Sequence, residues 1–192
     1  ARDYLSNSQE VPLVKSEGVL DFRPNFLKSL HDLITRSVAD FDLDPNHVRK
    51  INCEILENDK ESRAIFERAY EMIELWPSWL KKMFGDVVAH IVPINRTDGK
   101  RLDGAAFSDH NLIGAVFASI EYSAPFPELA LNISYAHELG HNVLMIYQYS
   151  QDLIIEGEKW VYSGVRKTER PVVMAFHAAV ALAFMIECIK CL

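Results

Sequence analysis

Apolar residues recur at helical spacing soon after the start of the chain. Phe26, Leu27, Leu30, Leu33, Ile34 and Val38 fall on one face of a run opened by Pro24. Asp44-Pro45 has the form of an N-cap and first turn, and predicts a second helix through Ile51 and Ile55. A third helix is predicted from Glu61 to Leu75, with Ile65, Phe66, Ala69, Tyr70 and Ile73 on one face and the charged residues largely on the other. After Gly85 the pattern changes. Asp86 to Ile94 and Ile113 to Ile120 are apolar runs of strand length, separated by a polar turn region from Arg96 to Gly104. Pro125 and Pro127 break the chain before a helix from Glu128 to about Tyr147. A mixed connector from 150 to 170 follows, with a short strand at Lys159 to Tyr162, and Arg170-Pro171 opens a final helix.

That last segment, Pro171 to Ile186, is almost wholly apolar. It falls short of the roughly 20 residues a bilayer requires, and His177 sits in its middle, so the expectation is a helix buried on most sides. Helices, then a small sheet, then two more helices make an α+β fold. The expected organisation is a single domain over 1–192: a helical part at 1–84, then at 85–192 a sheet and two helices, the first in a zincin-like position.

The 192 residues are 49% hydrophobic and 24% charged, which excludes a disordered chain, a collagen and a coiled-coil rod. A domain of this size buries roughly 70% of its unfolded surface and needs no metal or disulfide to fold, so a metal would serve chemistry. The formal net charge of −7 repels phosphate backbones, so no nucleic-acid partner is expected. Cys188 and Cys191 have CxxC spacing but lie at the end of an apolar helix, with no second metal-binding pair. Together with Cys53 they read as reduced thiols and point to a cytoplasm. No basic n-region opens the chain, which begins Ala1-Arg2-Asp3 as a processed or trimmed protein would, and no membrane partner is expected. The oligomeric state stays open.

His137-Glu138-Leu139-Gly140-His141 is an HExxH motif inside the fourth predicted helix. Residues i and i+4 of a helix lie about 40° apart around its axis, one turn up, so both imidazoles can reach one ion at roughly 2 Å. Glu138 is turned about 100° from His137 and lies beside the ion, where it can act on a bound water or substrate. Gly140 lets a backbone or ligand approach closely. The third ligand decides the chemistry. The extended protease signature fails, because Leu144 and Tyr147 stand where it has Gly and His. Glu156, Glu158 and Glu169 lie in the connector. His177, on the apolar helix beside Phe176, Val180 and Phe184, is the stronger candidate, although a lone buried histidine is often a satisfied core residue. Three histidines with open positions suit Fe(II) or Zn(II).

Phe107-Ser108-Asp109, Gly114 to Ser119, Ala136-His137-Glu138-Leu139-Gly140-His141-Asn142-Val143-Leu144, Arg170-Pro171 and Phe176-His177-Ala178 resemble, in that order, the HExxH-motif peptide-modification proteins of bacterial natural-product clusters. The likeness covers about residues 105 to 186. It departs at Val172 and Ala178, where that family continues with Leu and Gly. The family includes 2-oxoglutarate-dependent iron enzymes that β-hydroxylate residues of ribosomally made precursor peptides. The resemblance therefore implies a dioxygenase with a precursor-peptide substrate, 2-oxoglutarate as co-substrate, and His137, His141 and His177 as iron ligands. It implies Arg170 as a bidentate partner for a 2-oxoglutarate carboxylate and Ser108 as a residue lining the site. Without it, Arg170 reads as a salt-bridged surface residue and Ser108-Asp109 as a turn cap. The competing expectation is a zinc metallopeptidase with Glu138 as general base and a connector glutamate completing the site. In either enzyme the strand at 113–120 can pair with an extended peptide. His110 reads as an exposed loop residue and His90 as part of the core or a sheet edge. Tyr135, Tyr147 and Tyr149 bracket the motif, most of them as packing residues and one as a candidate substrate contact.

Overall fold

The element that positions the candidate site is a long helix, α3 (Pro127–Ser150), against which three other helices and part of a sheet pack. The structure is a computed structural model and describes residues 53–55, 60–96, 106–110, 112–150, 153–154, 156–164 and 167–192. The expected helices at 24–38 and from Asp44 lie outside the described residues, except that Ile55 ends a strand, β1 (Cys53–Ile55), and not a helix. Among the described residues the fold is α+β, with four α-helices and small sheets.

Helix α1 (Lys60–Glu71) buries Ile65, Phe66 and Ala69 and turns Arg63 and Glu67 outward, where they pair at 2.8 Å. A 3₁₀ turn at Met72–Leu75 follows, and Trp76 is extended, as the steric demand of Pro77 requires. Helix α2 (Ser78–Val87) then buries Leu80 and Phe84. The sequence pattern missed this helix, because its last residues, Asp86 and Val87, were read as the start of a strand. The Val88 N–H still caps it on the Phe84 carbonyl at 2.8 Å.

Strands β2 (His90–Arg96), β3 (Ala106–Phe107) and β4 (Ala115–Ala118) join β1 in one sheet, ordered β1-β2-β4-β3. The β2–β4 pair is parallel and the other two pairs are antiparallel. All four residues of β4 are buried, as befits a strand paired on both edges. The expectation that this strand offers an edge to a peptide is therefore corrected: β3 is the outer strand on that side. Strands β5 (Trp160–Ser163) and β6 (Thr168–Pro171) form a separate antiparallel pair, which leads into helix α4 (Val172–Ile189).

One core joins α1, α2, the sheet and α3 through Phe66, Leu80, Phe84, Ile91, Val116, Tyr135 and Leu139. Asn132 on α3 is a polar tie inside it. Its Oδ1 accepts from Trp76 Nε1 at 2.9 Å and its Nδ2 donates to the Ala69 carbonyl at 2.8 Å, so no hydrogen-bonding group of the amide is stranded.

Helix α4 packs along α3, and its Cys188 reaches the same core. Only Ala181 and Cys188 of α4 are fully buried, while Phe176, Leu182, Ile186 and Ile189 stay exposed among the described residues. The expected helix buried on most sides is thus buried along one stripe, and it is long and apolar enough to cross a membrane. Gly140 and Ala181 mark where the two helices come closest. A Cβ on Gly140 would lie 2.9 Å from the Ala181 Cα and 3.2 Å from its nitrogen, closer than backbone atoms allow. Gly140→Ala should therefore push the helices apart and lower stability by about 1–3 kcal/mol in urea unfolding. Gly85→Ala, in α2 with nothing within 4 Å, should instead raise it by about 0.5–1 kcal/mol.

Candidate metal centre

Residues 137, 138 and 141 share the part of α3 that runs between the sheet and α4. His137 and His141 are half-buried and meet α4, and Glu138 is buried against the sheet side. His137 Nε2 and His141 Nε2 stand 3.1 Å apart. Two nitrogens at about 2.1 Å from one ion, at angles between right and tetrahedral, lie roughly 3 Å apart, so the pair fits a divalent cation. Glu138 Oε1 lies 3.9 Å from His137 Nε2. Donor atoms of His137, Glu138 and His141 all fall within 4.8 Å of one another, and this is the group among the described residues able to hold a metal ion.

The Glu138 carboxyl is held from its other oxygen. Ser108 Oγ donates to Glu138 Oε2 at 2.7 Å, and Asn142 Nδ2 donates to Ser108 Oγ at 2.8 Å. Asn142 Oδ1 in turn accepts from the Gly114 N–H at 2.7 Å. Gly114 has φ +89°, a conformation that suits glycine, and its carbonyl accepts from Ala89 and His90. The turn before β4 thus fixes Asn142, Asn142 fixes Ser108, and Ser108 leaves Glu138 Oε1 on the side of the histidines. Asn142 was not singled out from sequence. An amide one helical turn after Glu138 was the available signal, and it reads equally as a surface residue until the sheet is in place.

Burial sets the proton chemistry. It pushes the Glu138 carboxyl up to about 7, with the Ser108 hydrogen bond pulling the other way. It pushes His141 down to about 3, helped by His137 and His177 nearby, so His141 is neutral and able to ligate at neutral pH. Burial also lowers His177.

His177 reaches the site from α4, but meets the far side of His141. Its Nδ1 is 3.2 Å from His141 Nδ1, the nitrogen turned away from His137. The expected third histidine therefore stands next to His141 without joining the group of three donors, and Glu138 offers the third donor instead. Helix α4 crosses α3 at Ala181, so residue 177, one turn earlier, lies alongside the His141 ring. Met185, two turns further on, meets His137, its Sδ 3.1 Å from Nδ1. Glu156, Glu158 and Glu169 are exposed and lie outside the group. Arg170, in β6, is half-buried, and its guanidinium has no hydrogen bond or ion pair among the described residues. His110 is exposed near Asp109, and His90 is half-buried in β2. Tyr135 is fully buried in the core, while Tyr147 and Tyr149 are exposed.

A cleft of about 190 Å³ opens onto His137 and Glu138, lined also by Ala106 of β3, Ser134 and Met185. Strand β3 thus borders the candidate metal centre, and its outer side pairs with no strand among the described residues.

The raised Glu138 carboxyl makes a pH prediction for metal-free protein. As pH rises from the ordinary 4.5 to about 7, the unfolded chain loses this proton while the folded chain keeps it. This group's contribution to stability therefore falls across that window, by on the order of 3 kcal/mol at 1.36 kcal/mol per unit. Below about 6.5 the depressed His141 acts oppositely, favouring the fold as pH rises. Glu138→Gln removes only the first effect, so urea unfolding should show the variant gaining on wild type between pH 4.5 and 7.

Neither a scan against protein-family models nor a search of curated proteins finds a match to the chain.

Proposed function

We propose that this protein is an iron(II)- and 2-oxoglutarate-dependent oxygenase that hydroxylates a residue of a peptide, with His137, His141 and Glu138 holding the ion. The carrying observation is the donor set: two imidazole nitrogens 3.1 Å apart with a carboxylate oxygen beside them. Two histidines and one carboxylate with open positions are the ligand set of non-haem iron(II) oxygenases. The HExxH helix packed beside a small sheet is a zincin-like arrangement put to another use. When bound, iron with 2-oxoglutarate supplies the oxidation: substrate C–H, O2 and 2-oxoglutarate become C–OH, succinate and CO2.

The chain's own residues supply the rest. Arg170 carries a half-buried guanidinium, unpaired among the described residues and suited to a bidentate grip on a 2-oxoglutarate carboxylate. Ser108 and Asn142 keep the Glu138 carboxylate oriented. The side of β3 that pairs with no strand among the described residues borders the cleft, where an extended peptide can add as a further strand. The resemblance to peptide β-hydroxylases names the precursor peptide as substrate class. It would make His177 the third ligand; the donors within mutual reach favour Glu138.

One observation favours a second reading. A carboxyl pushed up to about 7, with one oxygen free, is poised as a general base, and with zinc it would serve a hydrolase. The two readings separate in one assay. Protein loaded anaerobically with iron is given O2, 2-oxoglutarate and a mixture of synthetic peptides; zinc-loaded protein is given the peptides alone. The oxygenase forms succinate and adds one oxygen to a peptide, and cleaves nothing with zinc. Arg170→Leu should weaken 2-oxoglutarate binding about 100-fold, and Arg170→Lys should recover only part of it, because ammonium lacks the planar fork. Peptide cleavage with zinc and no succinate with iron would establish the hydrolase instead.

A further inference from the structure

The two histidines of the motif need their Nε2 lone pairs free, and in each case the other ring nitrogen decides this. For His137, Met185 Sδ, a weak acceptor, lies 3.1 Å from Nδ1, so a proton on Nδ1 would leave the Nε2 lone pair for the ion. For His141 the partner is His177, and two neutral imidazoles facing each other through Nδ1 leave the direction open. A third residue closes it. Gln148 Oε1 lies 2.9 Å from His177 Nε2 and accepts its proton. A neutral His177 protonated on Nε2 has a bare Nδ1, which accepts from His141 Nδ1–H at 3.2 Å. His141 Nε2 is then the lone pair that faces His137 Nε2 at 3.1 Å. With the Gln148 amide reversed, every proton in the chain would shift by one nitrogen and His141 Nε2 would carry hydrogen toward the ion site.

We propose that Gln148 and His177 are positioning residues, a hydrogen-bonded relay that fixes the tautomer and ring orientation of His141, and that His177 is not itself a ligand. The inference rests on the metal centre proposed above. Its geometry comes from two independent elements: Gln148 lies two turns beyond His141 on α3, and His177 arrives from α4 through the crossing at Ala181. Both side chains are half-buried, so water competes only partly for these hydrogen bonds.

The test uses Co(II) alone as the probe, on the full chain. X-ray absorption of the wild-type Co(II) protein counts bound imidazoles without any variant. The relay gives two; three would overturn the proposal. Competition titration then gives affinities. Gln148→Leu should weaken Co(II) binding by about 10–100-fold, the range seen when such outer partners of a metal ligand are lost. Gln148→Glu, which keeps an acceptor for His177 Nε2–H, should retain most of the affinity. His177→Gln should likewise bind better than His177→Leu, because its amide oxygen can accept from His141 Nδ1–H. Wild-type affinity in Gln148→Leu would also overturn the relay. These readouts do not depend on turnover: a protein that binds cobalt through two imidazoles yet forms no succinate would retain the relay and lose the oxygenase reading.

Discussion

The approach of α3 and α4 at Gly140 and Ala181 governs the candidate site. Leaving out one Cβ allows the helices to touch at backbone distance, and that contact sets what lies on either side of it. Toward one end of the crossing His177 meets His141, and toward the other Met185 meets His137. Elsewhere α3 is anchored by the core, which Cys188 of α4 also joins, and by the Asn132 and Asn142 amides, which tie it to α1 and to the turn before β4. The helix carrying the motif is thus clamped between two surfaces, and its histidines do not depend on a loop for their placement.

That clamp has an electrostatic consequence. Glu138 is buried with a serine hydroxyl on one oxygen, and burial pushes its carboxyl up to about 7. His141, buried among histidines, is held neutral. A divalent cation beside them would answer both: the neutral imidazole could ligate it, and its charge would offset that of the carboxylate.

Much of this was legible in the sequence, and the parts that were not have physical reasons. The i, i+4 histidines gave a motif on one helix face, and the glycine between them gave a close approach. His177 was legible as a partner of the site because a histidine in an otherwise apolar helix must meet something polar. Which nitrogen it meets depends on the helix crossing, and no spacing along one chain encodes that. Helix α2 was lost because valines at its end resemble the start of a strand. The apolar run of α4 was read as a buried core helix, whereas its burial follows a single stripe through His177, Ala181, Met185 and Cys188. Periodicity alone cannot separate these when nearly every position is apolar. Ser108 was an expectation of the resemblance alone, and its hydrogen bond to Glu138 depends on the fold that brings the two together.

The central claim is that His137, His141 and Glu138 bind one metal ion. The most direct measurement is anaerobic titration of the metal-free protein with iron(II), followed by metal analysis of the isolated complex. One ion per chain is predicted for the wild type, and none for His137→Ala or His141→Ala in proteins whose circular dichroism shows the fold retained. Full iron occupancy in either folded variant would contradict the account.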